Sequence, residues 1–284
     1  MVLAACGGGG AGGASTSPGG GVSTSPGSGA SADGFPVTIQ NCGRTLTFDK
    51  PPSRAVLPYH PIAEIFVGLG LADRAVGRAG WSGGLKDPPI LPEQAADFAR
   101  VPVVSDNYFP PPKEQMLSLR PDFLLAYADF DYGGKHPGAE GLATLDELEA
   151  AGVQTYTVVC PDESGEYMNE NLEAVYRSLG DLGKIFGVSD RAQRRVAEMK
   201  AQIADVSQKV SGEPVVKVIA YYGGEGPLLD GTKEAQFLVT TFPNMQASKD
   251  RRVVVTDFTY TSPGWRNAQT AEDIARQLHP DVFK

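Results

Sequence analysis

Apolar residues along this chain fall into two rhythms, short unbroken runs and longer stretches at helical spacing. Ala55-Val56-Leu57 is a run of the first kind and predicts a buried strand. From Pro61, the residues Ile62, Ile65, Phe66 and Leu69 share one helical face, and Gly70 marks the end. Lys113 to Leu119 predicts a short helix, and Pro121-Asp122 leads into a strand at Phe123-Leu124-Leu125-Ala126. Thr144-Leu145-Asp146-Glu147 has the form of a capping box, in which Thr144 and Glu147 each satisfy an orphan amide of a starting helix. Gly152 stops that helix, and Thr155 to Cys160 predicts the next strand. Leu172, Val175, Tyr176, Leu179 and Leu182 keep helical spacing up to Gly187, and Ser189 is expected to cap a second run. That run carries Ala192, Val196, Met199, Ile203, Val206 and Val210. Val215 to Ala220 and Val253-Val254-Val255 predict further strands, and Ala271 to Leu278 a terminal helix.

The β-α-β rhythm implies an α/β fold with mostly parallel sheets. The simplest division is a tail over residues 1–34, an N-terminal α/β lobe over 35–188, a long connecting helix over 189–211, and a smaller C-terminal α/β lobe over 212–284. A ligand site in such an architecture belongs between the lobes, at the carboxyl ends of strands.

Composition changes this picture mainly at the start. Of 284 residues 41% are hydrophobic, ample for a core, but many of the 34 glycines crowd into the first 34 positions. That Gly/Ser/Thr/Pro tract has little to bury and reads as a flexible tether. Ahead of it, Leu3-Ala4-Ala5-Cys6 resembles a bacterial lipobox, which makes Cys6 the expected lipidation site; an expression scar or a chance cysteine is the alternative. The charged n-region and apolar core of a signal peptide are missing, so the start is expected to be truncated. The net charge of −9 argues against nucleic acid or an anionic bilayer as partner. No apolar run reaches the roughly 18–20 residues of a membrane span, so the expected membrane contact is through the lipid alone. Two cysteines remain. In an exported domain Cys42 and Cys160 are expected to pair, two buried thiols being the alternative.

Several phrases together resemble one family. They are Cys42-Gly43 followed by Thr47-Phe48-Asp49-Lys50-Pro51-Pro52-Ser53-Arg54-Ala55-Val56, then Glu64-Ile65-Phe66-Val67-Gly68-Leu69-Gly70, and the stretch Glu114 to Asp122. Leu145-Asp146-Glu147-Leu148 with Gly152-Val153, and Ser262-Pro263-Gly264-Trp265-Arg266, follow in order. The set is similar to the class III solute-binding proteins of ABC importers, the ferric-siderophore and cobalamin type. That resemblance implies two α/β lobes bridged by one long helix. It breaks after Gly226-Pro227-Leu228-Leu229, where Thr232-Lys233 leads almost directly to Ala235-Gln236-Phe237-Leu238, a phrase resembling a much later helix of the family. The C-lobe is therefore expected to be shortened.

Candidate chemistry gathers at strand ends. Tyr59 and His60 follow the first strand, Trp81 the second, and Tyr127 the strand at Phe123; Tyr108 precedes the Glu114 motif. Tyr221 and Tyr222 end the first C-lobe strand, and Phe258 and Tyr260 follow another. By the resemblance, Trp81, Tyr108, Tyr127, Tyr222 and Tyr260 face the cleft, where rings give rigid contact area to a bulky chelate; core packing is the alternative for each. Arg266, Arg78 and Lys86 are the candidate cations for an anionic chelate, with a surface position at a helix start the alternative for Arg266. The resemblance makes Glu114 the N-lobe glutamate that docks on permease arginines; a solvated residue in a first helical turn is the plainer role. His60, His136 and His279 lie far apart and make no metal site, and no resident cofactor is implied. No G-x-S-x-G elbow or phosphate loop is present, so an enzyme is not expected. The expected protein is an extracytoplasmic, lipid-anchored monomer. It would deliver a ferric siderophore, cobalamin or haem to a permease and its ATPase. An exported lipoprotein hydrolase using the cleft, or a transport-inactive surface protein with a degenerate C-lobe, are the other possibilities.

Overall fold

The computed structural model describes residues 34–80, 90–105, 110–128, 141–160, 171–216, 236–237, 239–249 and 262–284. Five parallel strands form its main sheet: β3 (Ala55–Leu57), β4 (Ala75–Ala79), β5 (Val103–Ser105), β6 (Phe123–Ala128) and β7 (Gln154–Val159), in the order β5-β4-β3-β6-β7. The apolar runs are continuous because both faces of the sheet are covered. Alternation then sorts them. Ala55, Leu57, Phe123 and Leu125 enter one core cluster with Ile62, Phe66 and Leu179, while Val56, Leu124 and Ala126 enter a second with Met116, Leu148 and Val153.

Helices α1 (His60–Gly68), α2 (Pro92–Arg100), α3 (Lys113–Ser118) and α4 (Leu145–Ala150) connect these strands. The capping box is formed: Glu147 N donates to Thr144 Oγ1 at 3.2 Å and Thr144 N to Glu147 Oε2 at 2.9 Å. Gly70 takes a left-handed φ of +71° after α1, and Arg191 Nη1 donates to the Leu69 carbonyl at 2.8 Å.

Two long antiparallel helices follow, α5 (Leu172–Ile185) and α6 (Ser189–Lys209). Asn171 caps α5, its Oδ1 accepting from Ala174 N at 3.1 Å. The expected Ser189 cap on α6 is corrected: the N-cap is Val188, which offers no side-chain bond. The cause is the ending of α5. Gly187 sits at φ +68°, its N–H bonds to Lys184 O at 3.2 Å, and Val188 N–H reaches Gly183 O at 2.7 Å. This is a Schellman turn, and it uses Val188 for both helices, so Ser189 is already helical. Gly183 permits the crossing, since a Cβ there would stand 2.6 Å from the Ala192 methyl.

Ahead of the sheet lies an antiparallel hairpin that the sequence reading did not assign, β1 (Val37–Asn41) and β2 (Arg44–Phe48). Its two-residue turn, Cys42-Gly43, has φ of 49° and 74°, the signs a type I′ turn requires. Asn41 lies against the edge of β7, donating to Thr157 O and accepting from Thr157 N, both at 2.8 Å. The Cys42–Cys160 disulfide closes beside it, with Cα atoms 5.1 Å apart.

The last helix (Asn267–Leu278) begins a turn earlier than expected and lies along α6, where Gln202 Nε2 donates to Glu272 Oε2 at 2.7 Å. Of the expected C-lobe strands, Val215 and Val216 are irregular and the remaining positions lie outside the described residues. Cys6 and the tether also lie outside them.

The disulfide spans 118 residues, and in the chain-entropy model such a closure contributes about 4–5 kcal/mol. Protein made under oxidising conditions should show no free thiol at Cys42 or Cys160 by mass spectrometry, and reduction should lower its denaturation midpoint clearly. Two alkylatable thiols without reductant would contradict the pairing.

Candidate functional site

In the strand order, β3, β4 and β5 progress one way while β6 and β7 progress the other. The direction reverses between β3 and β6, and the carboxyl ends of strands at such a reversal are where an open α/β sheet offers a ligand crevice. Tyr59 leaves β3 at that point as the extended N-cap residue of α1, with φ −143°. Tyr127 arrives on β6 on the same face as Phe123 and Leu125, by two-residue alternation. Their ring centroids are 4.8 Å apart at 49°, and both residues are half-buried. Two of the sequence candidates thus form one tilted aromatic pair.

A third wall comes from the far end of the chain. Ser262 Oγ stands 3.3 Å from the Tyr59 hydroxyl. The turn behind it is held by Asn267, which accepts from Gly264 N at 2.7 Å and donates to Ser262 O at 2.8 Å. Trp265 packs over α1, where Gly68 leaves room for it; a Cβ there would meet the indole at 2.7 Å. Arg195 of α6 covers the other side, 4.6 Å from the Trp265 ring, and donates to its carbonyl at 2.5 Å. Burial pulls the Arg195 guanidinium below its ordinary value, opposed by Glu198, yet a guanidinium stays charged throughout the physiological range.

Arg266 is the sequence candidate whose surroundings are most informative. Its side chain and that of Glu64 are 9% and 5% exposed and form a forked ion pair, with Nε–Oε2 at 3.0 Å and a second contact from Nη2 to Oε1. The cation expected to meet a ligand is thus engaged with a carboxylate of α1. His60, another candidate, begins α1; it is buried, with Nε2 3.7 Å from Glu64 Oε1 and its ring 5.0 Å from Phe98. Arg78, at the carboxyl end of β4, is also buried and lies 4.3 Å from the Phe98 ring. Among the described residues no group of three or more His, Cys, Asp or Glu is arranged to hold a metal ion.

Glu114 is exposed in the first turn of α3, next to Lys113, whose ammonium is bound to Glu147 at 2.5 Å. Trp81, Lys86, Tyr108, Tyr222 and Tyr260 lie outside the described residues. Glu64 was missed as a functional position, although a carboxylate set among Ile62, Ala63, Ile65, Phe66 and Val67 signals a buried charge that needs a partner. A hollow of about 510 Å³ lies elsewhere, where α5 turns into α6, lined by Gly34, Val37, Lys184, Gly187, Arg191 and Arg194. Its lining lacks aromatic rings, and it is the tyrosine crevice that has the makings of a small-molecule site.

Residues 58–259 match the family model described as periplasmic binding protein. An uncharacterized ABC transporter substrate-binding lipoprotein of Bacillus subtilis (strain 168) is 25% identical over 176 residues, 62% of this chain and 48% of that protein. The chain thus spans about half the length of that curated relative. Among solved structures, a periplasmic binding protein from Veillonella parvula superposes with TM-score 0.67 at 19% identity, over 86% of this chain and 97% of that one. An ABC-type Fe3+-hydroxamate transport system structure from Saccharomonospora viridis gives TM-score 0.64 at 20% identity, over 86% and 99%.

Removing Arg266 alone takes the forked cation from the buried Glu64 carboxylate and leaves it His60 at 3.7 Å. Arg266→Met should lower unfolding free energy by about 3–5 kcal/mol, and Glu64→Met/Arg266→Met should recover much of that loss. Denaturant titration of the single and double variants checks both.

Proposed function

This chain belongs to the periplasmic binding protein family, and on that premise we propose that it is the ligand-capturing lipoprotein of an ABC importer. Its ligand in this reading is a ferric siderophore or a similar metal chelate such as haem or cobalamin. The observation that carries the proposal is the Tyr59–Tyr127 pair at the reversal of strand order, with centroids 4.8 Å apart. Two rings there supply rigid apolar surface at little entropic cost, and their hydroxyls offer polar contacts to the periphery of a chelate. Trp81, Tyr108, Tyr222 and Tyr260 would complete the aromatic lining. Lipidation at Cys6 would hold the protein outside the cytoplasm. A tether through residue 34 would have an r.m.s. reach of roughly 30 Å, enough for the domain to turn toward a permease. Glu114 is exposed in the first turn of α3, next to a lysine already paired with Glu147, and is the group we assign to permease arginines.

Titration with ferric hydroxamates, ferric catecholates, haem and cobalamin should change tryptophan emission and raise the melting temperature for one class, at sub-micromolar to micromolar concentrations and without turnover. If no member of the panel moves either signal, chelate capture is wrong. Glu114→Ala should spare affinity and reduce uptake through the matched permease; a loss of affinity in that variant would refute the docking assignment.

A further inference from the structure

We infer that Arg266 and Glu64 form a positioning pair of the crevice, one that sets Tyr59 through Ser262 and leaves Arg266 out of contact with the ligand. The deduction starts from where the pair sits. Glu64 lies one helical turn after His60, the residue next to Tyr59, and Arg266 lies four residues after Ser262. Their forked contact, with both side chains less than a tenth exposed, clamps the turn Ser262–Asn267 onto the first turns of α1. Asn267 makes that turn rigid by bonding Gly264 N and Ser262 O. Gly264 lies close against Pro61; a Cβ on it would be 3.6 Å from Pro61 Cβ. A clamp on one side and a rigid turn on the other leave Ser262 Oγ fixed 3.3 Å from the Tyr59 hydroxyl. Tyr59 is half-buried and leans on Tyr127, so its hydroxyl contact sets the tilt of the ring. A bidentate pair suits this task because it fixes orientation as well as distance.

The inference rests on the solute-binding reading for its functional consequence, so the test has two arms. In the first, 3-fluorotyrosine is placed at position 59 of the full chain and its ¹⁹F resonance is recorded without ligand. Ser262→Ala, Arg266→Met and Glu64→Met/Arg266→Met should all displace the resonance in the same direction. The double variant should regain most of the melting temperature yet keep the displaced resonance, which a purely stabilising pair would not do. A wild-type resonance in the folded double variant would overturn the inference, and that measurement stands even if Arg266→Met does not fold. In the second arm, cationic ferrioxamine B and anionic ferric enterobactin are titrated as probes. A positioning role predicts that Ser262→Ala and the double variant weaken whichever probe binds by about tenfold, whatever its charge. An anionic probe weakened in the double variant but not in Ser262→Ala would mean that Arg266 touches the ligand, and would overturn the assignment. If neither probe binds the wild-type protein, the solute-binding reading fails for these chelates, and the fluorine resonance still decides the positioning role.

Discussion

A carboxylate placed within the apolar surface of α1 has to find a cation or lose its charge, and Glu64 finds one 202 residues later in Arg266. Much of the arrangement around the crevice follows from that demand. The closing segment of the chain must return to the first helix of the lobe, and it does so across the mouth of the sheet. Trp265 occupies the space that Gly68 leaves open, Arg195 covers the indole, and the last helix runs on along α6. The pair contributes less to net stability than its Coulombic attraction suggests, because both groups had to leave water. What it adds is register, since only one position of the turn lets a forked guanidinium meet that carboxylate.

The other end of the lobe is governed by a sheet edge. With β7 outermost among the described strands, its amide and carbonyl groups would face solvent or a stray strand. The hairpin answers with side chains: Asn41 pairs both polar groups of Thr157, and Arg44 reaches Thr155 O at 3.3 Å. The disulfide then fixes the hairpin tip to the residue following β7. Small amphipathic strands such as Val37–Asn41 have little to hold them alone, and a covalent link makes their docking durable.

Strands β3, β6 and β7 were legible in the sequence because burial on both faces leaves unbroken apolar runs, and α4 was legible because a capping box is written in adjacent residues. The hairpin was harder. Its alternation is only five residues long on each side and follows directly on a tract without pattern. Ser189 misled because a cap preference is local, while the Schellman ending of α5 fixed the turn from the other side. Of the site, the placement of aromatic residues at strand ends was readable, and Tyr59 and Tyr127 do meet. Their contact depends on the reversal of strand order, which no local pattern encodes. Nor could the sequence show that Arg266 faces a carboxylate, although Glu64 amid five apolar neighbours pointed to a missing counter-charge.

That counter-charge bears on how the crevice can select. A lone guanidinium in a half-dry cleft would favour anionic chelates strongly, but a guanidinium already forked to a carboxylate presents little net field beyond a few ångströms. The buried Arg266–Glu64 pair behind Tyr59 is therefore close to neutral. In the solute-binding reading, discrimination beside this pair would fall to shape, to the faces and edges of Tyr59 and Tyr127, and to their hydroxyl groups. Such contacts would recognise the size and rigidity of a chelate more than its charge, so a tyrosine whose tilt is fixed from behind would matter more to affinity than another cation. In that reading the buried ion pair would act on recognition by holding a neutral surface in place.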